Sequence, residues 1–396
     1  MRDKKPSRLC AFRLVPESED MLTIDFVRFL AAECVVIFHF GQGIISHEHL
    51  AARAGTLDFL SLFVDVFFII SGFVIATIYN NRMTSRRDYL GFMQKRFARI
   101  GPLHWLTLLF IAGMGAFLLV AGRRSNFQNE YDWSCFAPQL LFLHALGACR
   151  HPSFNFPSWS ISAEMTLYVA FPLFLTLARR QRSSLIALTV MVLGAMYVFS
   201  GGPGGGQARG WTNWTTQFGA IRGVAGFSLG VALYAYQDHL RLVRISLPLL
   251  LASLAAFFGL GFSGVHPMWL APLAYAIAFF AIVNDLGRRR SAAVRKLAPL
   301  GQLTYSIYML HVPVRMIMVA LVGEHLLHLH GAAYILWSVV AVFLLLPISW
   351  ISLILFERPA RKWVGGLGRG RRQPVTLGTL AGESPLQASA DANSTV

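Results

Sequence analysis

Charged side chains are scarce in this sequence, and that scarcity excludes most soluble folds. Only 14% of the 396 residues are Asp, Glu, Lys or Arg, against about a quarter in ordinary soluble domains. Basic residues outnumber acidic ones by 35 to 19, but they separate apolar blocks instead of gathering on one polar face, as nucleic-acid binding requires. With a mean hydropathy of +0.53, the composition predicts an integral membrane protein with no nucleic-acid partner.

Long apolar stretches divide the chain into segments of transmembrane length. A helix needs about 20 apolar residues to cross a bilayer, and about ten stretches approach that length. We therefore predict an all-α fold, a polytopic integral membrane helical bundle of about ten transmembrane helices, with residues 1–365 as one transmembrane domain. The run from Pro138 to Leu146 is too short to cross and is interpreted as re-entrant or interfacial. The candidate spans are residues 22–41, 60–80, 102–121, 160–178, 184–200, 217–236, 246–264, 267–285, 298–321 and 332–355.

The distribution of Lys and Arg predicts the orientation, because short basic loops stay in the cytoplasm. With the N-terminus inside, the inside segments hold 27 of the 35 basic residues and the outside loops hold five. Both termini are then cytoplasmic. Residues 1–20 form a basic N-terminal segment, and residues 366–396 have the composition of a disordered cytoplasmic tail.

Cysteine is rare as well, with four residues in the chain. Cys135 and Cys149 fall in the same predicted outer segment, where an oxidising compartment would permit a disulfide. Two free thiols beside a re-entrant turn explain the sequence equally well, so the pairing stays open at this point.

The first span carries ionisable residues, and the bilayer makes each of them a functional candidate. Arg28 and His39 are eleven residues apart, which is three helical turns plus about 20°, so they share a face and lie roughly 16 Å apart along the axis. Asp25 is spaced to pair with Arg28. One groove could therefore hold a long ligand between Arg28 and His39. A histidine that only bonds to a neighbouring helix is the simpler explanation of His39 by itself.

Other intramembrane polar residues need partners that spacing alone does not identify. Glu33 is rotated by about 140° from Arg28, and Arg222 or Arg315 are its candidate partners. We predict no metal site at a group of three outer histidines. These histidines are His325, His328 and His330.

Two arginines, Arg96 and Arg99, are one helical turn apart at the predicted cytoplasmic surface. Forked guanidinium donors suit a phosphate group, although ordinary positive-inside charge explains most such arginines. On the outer side, Glu164 begins the fourth span. Its carboxylate could orient His39 or bind sugar hydroxyls, and a helix-start acid favoured by the macrodipole explains it equally well.

The ninth span contains a polar seam formed by Tyr305, Tyr308 and His311, three residues apart. Packing between helices is the simpler explanation of the two tyrosines.

Five motifs in this order resemble the membrane acyltransferase-3 family, which includes bacterial O-acyltransferases of surface polysaccharides and other glycans. They span residues 22 to about 363. The matching motifs are Arg28 with ten residues before His39, the segment from Phe63 to Phe73, Arg96-x-x-Arg99 with Pro102, the segment from Trp159 to Glu164, and the segment from Leu300 to His311.

The resemblance implies a transferase that moves an acyl group, usually acetyl, from cytosolic acyl-CoA to a hydroxyl of an extracytoplasmic or lipid-linked carbohydrate. It implies a multi-pass protein of the bacterial inner membrane, whose partners are the lipid bilayer, the glycan acceptor and polysaccharide biosynthesis proteins. We expect His39 and Glu164 to be catalytic. We expect three arginines, Arg28, Arg96 and Arg99, to bind the acyl-CoA. We expect Asp65, Trp159 and Tyr305 to contact the substrate.

The competing hypothesis is a secondary transporter, because intramembrane acids, arginines and histidines also form proton relays. We find no repeated halves and no paired broken spans of the kind that many transporters have. Consumption of an acyl-CoA thioester would separate the two hypotheses, since a transporter does not consume it.

Overall fold

The computed structural model describes residues 14, 20–50, 53, 55–122, 130–201, 210–288 and 291–367, and within these residues it contains helices and no strand. The prediction of an all-α membrane bundle is confirmed: seven helices are long and apolar enough to cross a membrane. Three further apolar helices of 17 residues each coincide with the remaining predicted spans. Their length is at the lower limit for crossing, so ten crossings stay a prediction.

Ten principal helices follow one another along the chain, and short helical turns connect them. The ten are α1 Leu22–His47, α2 Phe63–Tyr79, α3 Arg86–Val120, α4 Trp159–Arg180, α5 Ser183–Phe199, α6 Gly219–Ala235, α7 Ser246–Phe262, α8 Pro267–Leu286, α9 Thr304–Val314 and α10 Gly331–Ser352. Helix α9 continues as a π-helix, Arg315–Leu326, and α10 continues as the π-helix Leu353–Glu357 and the helix Arg358–Gly366. The shorter α-helices are Phe136–Leu140, Gln237–Leu240 and Ala292–Leu297, and the 3-10 turns are Asp58–Leu62, Asn80–Arg82, Trp133–Cys135, His144–Leu146, Phe156–Ser158, Gly210–Asn213 and Ala298–Leu303.

The described residues up to Gly365 belong to one compact unit. The predicted disordered tail falls almost entirely on residues 368–396, outside the described part of the chain, as does most of the predicted N-terminal segment.

Helices α2 and α6 form the centre of the bundle and approach closely through glycine. A Cβ at Gly72 would lie 2.3 Å from the carbonyl oxygen of Phe227, and one at Gly230 would lie 2.0 Å from that of Ile69. Small residues permit such backbone approach in membranes, where dispersion contacts replace the hydrophobic effect between helices. The close pairing fixes α2, the most buried of the long spans, as a support for the neighbouring helices.

The start of α1 is held by a residue from α8. The backbone N–H groups of Thr23 and Ile24 donate to the Asp285 carboxylate at 3.0 and 2.8 Å, while Met21 at the N-cap supplies no side-chain bond. First-turn N–H groups lack partners within a helix, so a distant carboxylate replaces the missing local cap. This contact positions the helix that carries Arg28 and His39.

Helix α3 begins earlier than the sequence predicts. We expected the third span to begin at residue 102, but the structure has one helix of 35 residues, roughly 52 Å long. A reciprocal capping box between Ser85 and Asp88 starts it, and Pro102 is accommodated inside it. Neighbouring helices can offset the lost backbone bond in a membrane bundle. Arg96 and Arg99 therefore lie on the same rigid helix as the span.

Candidate active site

Arg28 and His39 both belong to α1, and their surroundings differ. The Arg28 guanidinium lies 3.5 Å from the Asp25 carboxylate, which confirms the pairing predicted from their spacing. Arg28 also lines a cavity inside the bundle. His39 lies three turns further along the helix, among aromatic rings.

The cavity is lined by the basic residues that the sequence analysis identified as candidates. Arg28 from α1 and Arg96 and Arg99 from α3 line it together with Glu164 and Tyr305. Its volume is about 100 Å³, which is enough for several water molecules or a small chemical group. Three arginines against one carboxylate leave the lining positive, which favours an anionic ligand. We call this space the arginine cavity.

Aromatic side chains hold Arg96 in the arginine cavity. Its guanidinium lies 5.3 Å from the ring centre of Tyr79 and 5.9 Å from that of Tyr168, and Nη2 donates to the Tyr79 hydroxyl at 3.2 Å. Its Nε has no partner among the described residues. Cation–π contacts of this kind hold a guanidinium in place without neutralising it, so its charge stays available to a ligand.

Glu164 belongs to this cavity and does not contact His39. Its Oε1 accepts a hydrogen bond from Ser71 Oγ at 2.8 Å and another from the Tyr168 hydroxyl. We expected that Glu164 could orient His39, but within the described residues its carboxylate is engaged by α2 and by its own helix. The reason is the position of Glu164 in the second turn of α4, on the face turned to the arginines.

His39 instead stacks on a second histidine from α9. The rings of His39 and His311 lie 5.2 Å apart and 15° from parallel, and Phe156 meets the His39 ring edge-on at 4.9 Å. His311 Nδ1 lies 2.7 Å from the Tyr308 carbonyl oxygen, which can only accept, so Nδ1 carries the proton. His311 Nε2 is buried and has no partner among the described residues. The sequence showed the seam that ends in His311 but not its contact with His39.

Two residues expected to bind substrate contact a buried arginine. Both Asp65 carboxylate oxygens bond Arg222, at 2.5 Å to Nη2 and 3.0 Å to Nε, and Trp159 lies 5.3 Å from its guanidinium carbon. Arg222 and Asp65 are 1% and 0% exposed, and neither Asp65 nor Trp159 lines the arginine cavity. In this structure Asp65 therefore forms a buried ion pair with Arg222 under the indole ring of Trp159, and the expected contact of Asp65 and Trp159 with substrate stays a prediction. Arg222 is accordingly not the partner of Glu33.

Tyr305, the third of these residues, does line the arginine cavity. Its hydroxyl donates to the Ile100 carbonyl, which ties α9 to the helix carrying Arg96 and Arg99.

The outer segment between α3 and α4 is closed by a disulfide. Cys135 and Cys149 are bonded, with Cα atoms 5.3 Å apart, which decides the pairing that the sequence left open. The Pro138 to Leu146 run forms short helical turns. Ala145 N–H donates to Ser162 Oγ at 3.0 Å, so this segment packs on the start of α4.

Three residues that could bind a metal lie close together although one of them is far from the other two in the sequence. His47, Glu48 and His330 have ligand atoms within 4.8 Å of one another. His47 Nδ1 lies 2.9 Å from Glu48 Oε1, which also accepts from Gly331 N–H. The hydrogen bond to His47 lowers the pKa of the Glu48 carboxyl below its ordinary value. Two histidines and a carboxylate are ligands that zinc accepts, whereas our sequence analysis considered only His325, His328 and His330.

Comparison with known proteins identifies the family. A family model described as an acyltransferase domain matches residues 21–354. The chain belongs to the acyltransferase-3 family. It is also similar to a protein named acyltransferase MdmB from Streptomyces mycarofaciens, with 37% identity over 127 residues, which is 30% of this chain and 30% of that relative. No solved structure matches this chain significantly.

Family and fold together identify a multi-pass membrane protein with an acyltransferase-3 domain. The resemblance inferred from the five motifs is confirmed. The family favours an acyltransferase over the transporter that the intramembrane charges also allowed.

Proposed function

We propose that this protein transfers an acyl group from cytosolic acyl-CoA to a hydroxyl of an extracytoplasmic or lipid-linked carbohydrate. The acyl group that we propose is acetyl. The observation that carries the proposal is the arginine cavity, where Arg28, Arg96 and Arg99 converge on the predicted cytoplasmic side of His39. The same face of α1 leads from Arg28 to His39, roughly 16 Å further on. CoA has its phosphates at one end and its thioester at the other, and this arrangement matches that order.

The arginines bind the donor in this proposal. Arg96 and Arg99 hold CoA phosphates through forked, charge-assisted hydrogen bonds, and Arg28 lies beside the pantetheine arm as it passes toward His39. Glu164, bonded to Ser71 and Tyr168, provides hydrogen-bond acceptors to the same arm. The cavity thus fixes the thioester in place before the acceptor arrives, which lowers the entropic part of the barrier.

His39 is the general base. A sugar hydroxyl is a weak nucleophile at neutral pH, and imidazole has the pKa range to accept its proton. The hydroxyl oxygen attacks the thioester carbonyl carbon while His39 takes the proton. The C–S bond then breaks, and the proton passes from His39 to the departing CoA sulfur. An acyl-histidine intermediate is the other possible order of events, and it requires the same residue.

His311 positions the base. Its ring is parallel to that of His39, and its bond to the Tyr308 carbonyl fixes the ring in one orientation. Stacking against a fixed ring and the edge of Phe156 restricts His39 to a narrow set of rotamers, which is the arrangement that catalysis needs.

We place the protein in the bacterial inner membrane, with the bilayer, the carbohydrate acceptor and polysaccharide biosynthesis proteins as its partners. Its acyl acceptor then lies on the side opposite to the CoA, and the bundle carries the acyl group across.

Truncated donors test the arginine cavity directly. We would compare acetyl-CoA with acetyl-pantetheine, which lacks the nucleotide phosphates, in native membranes containing wild type, Arg96→Gln, Arg99→Gln or Arg82→Gln. Arg82 is an exposed arginine on the same predicted side and serves as the matched control. Each charge-assisted bond contributes about 1.5 to 3 kcal/mol, so Arg99→Gln should lower kcat/KM for acetyl-CoA by about tenfold or more.

The ratio between the two donors distinguishes phosphate binding from general damage. The kcat/KM for acetyl-pantetheine should fall little in either variant, because this donor has no phosphate for the arginines to bind. Arg82→Gln should leave the ratio of kcat/KM between the two donors at the wild-type value. An unchanged ratio in both cavity variants would exclude this cavity as the site of the CoA phosphates.

A further inference from the structure

The helix that carries His311 changes its geometry at the next turn outward. Helix α9 ends at Val314, and Arg315 begins a π-helix that runs to Leu326. Wide π turns are rare and occur mostly at functional sites. Arg315 follows His311 by four residues, so the two side chains lie one above the other on neighbouring turns.

A glycine on α1 makes room for the Arg315 side chain. A Cβ placed on Gly43 would lie 2.6 Å from Arg315 Nη1, so the guanidinium occupies the space that any other residue at this position would fill. Gly43 follows His39 by four residues, about 6 Å further along the axis. Arg315 therefore lies one helical turn beyond the His39 and His311 pair, on the side away from the arginine cavity.

Arg315 has no counter-ion at contact distance within the described residues. Its Nε is buried without a hydrogen bond. The other two intramembrane arginines are paired, Arg28 with Asp25 and Arg222 with Asp65. An arginine in the hydrocarbon region is costly, and the Arg315 side chain is only partly buried, so a ligand can reach its guanidinium. An anionic ligand would supply the missing counter-ion.

We propose that Arg315 binds an anionic group of the acceptor, a carboxylate or a phosphate, and so presents the neighbouring hydroxyl to His39. This inference rests on the proposed function, in which the acceptor meets His39 from the outer side. The planar guanidinium matches the two oxygens of either group. The acceptor class is then an acidic carbohydrate, such as one carrying a uronate or a sugar phosphate, and neutral carbohydrates bind less well.

Alkylation of His39 tests the anion site without knowledge of the natural acceptor. In right-side-out vesicles, iodoacetate and iodoacetamide each form a bond between an imidazole nitrogen and their CH2 group and release iodide. They differ in charge and hardly in size. Peptide mass spectrometry gives the rate of modification at His39 for each reagent, and the ratio of the two rates measures attraction of the anion.

The ratio of the His39 modification rates with iodoacetate and iodoacetamide should be about fivefold or more higher in wild type than in Arg315→Met. One nearby positive charge in a partly desolvated site attracts an anion with an energy of this size. Arg53→Met, which removes an exposed charge on the same predicted side, should keep the wild-type ratio. Gly43→Ala should lower it, because the added methyl displaces the guanidinium. Equal ratios in wild type and Arg315→Met, or no modification of His39 by either reagent, would overturn the proposal.

Protection by added sugars then distinguishes the two anionic groups. Glucuronate supplies a carboxylate, glucose 6-phosphate supplies a phosphate, and glucose supplies neither. Protection of wild-type His39 by one acid and not by glucose, lost in Arg315→Met, identifies the preferred group, and equal protection by all three contradicts an anion site. Failure of acyl transfer from acetyl-CoA with the alkylation preference intact would instead count against the proposed function alone.

Discussion

Removal of the Asp65 carboxylate should destabilise the fold and should not remove the active site. Asp65 provides both of its oxygens to Arg222, and both residues are almost fully buried. Asp65→Leu leaves the Arg222 charge without its partner in the centre of the bundle. Loss of one member of a buried ion pair costs about 3 to 5 kcal/mol, because the remaining charge stays desolvated.

The remaining contacts of Arg222 place the expected loss near the lower end of that range. Its two terminal nitrogens also donate to the carbonyl oxygens of Thr212 and Ser61, at 2.7 and 3.1 Å, and these bonds survive the substitution. We expect a loss of about 3 kcal/mol in Asp65→Leu. The double variant Asp65→Leu with Arg222→Met should recover most of it, because an apolar pair of similar volume removes the unpaired charge.

Thermal unfolding in detergent, followed by the monodisperse fraction in size-exclusion chromatography, measures this loss. The exposed pair of Asp238 and Arg241 gives the matched control, and Asp238→Leu should change stability by less than about 1 kcal/mol. Transfer activity per folded Asp65→Leu molecule, assayed below its unfolding temperature, should stay near wild type. A variant that stays as stable as wild type but loses transfer would refute the ion-pair role and support Asp65 as a substrate contact.

Three further predictions follow from local geometry. Gly230→Ala should cost about 2 kcal/mol or more, because the Cβ meets the backbone of Ile69, while Gly194→Ala, whose Cβ meets nothing within 4 Å, should be neutral in the same thermal assay. Thiol alkylation under denaturing conditions should label two of the four cysteines without reductant and all four after reduction, because Cys135 and Cys149 are bonded; four labels without reductant would contradict the disulfide. Asp285→Ala should cost about 1 kcal/mol by removing the α1 cap, with less loss in Asp285→Asn, and equal losses would show that the hydrogen bonds to α1 are not the cause.

Features that depend on one helix could be predicted from the sequence. The pairing of Asp25 with Arg28 and the membrane character of the spans follow from helical spacing and hydropathy, because both are fixed within a single segment. The early start of α3 was missed, although Ser85 and Asp88 have the spacing of a capping box, because the span was bounded by hydropathy and the preceding residues are charged.

Features that join distant helices could not be predicted in the same way. His311 stacks on His39 and Arg222 binds Asp65 across separations of 272 and 157 residues. Spacing gives the face of a helix on which a residue lies, but not the helix that this face meets. Asp65 was selected through its family motif, and that motif does not show that its carboxylate contacts Arg222.

Transfer of label across the membrane tests the central claim most directly. Acetyl-CoA labelled in its acetyl group is supplied to the cytoplasmic face of native membranes that contain wild type, His39→Ala or His151→Ala, the last being an exposed control histidine. General-base catalysis contributes about a hundredfold or more, so we predict label on extracytoplasmic glycan in wild type and His151→Ala, and at least about a hundredfold less in His39→Ala. Equal label in folded His39→Ala, or none from wild type with any acyl-CoA, would contradict the proposed acyl transfer.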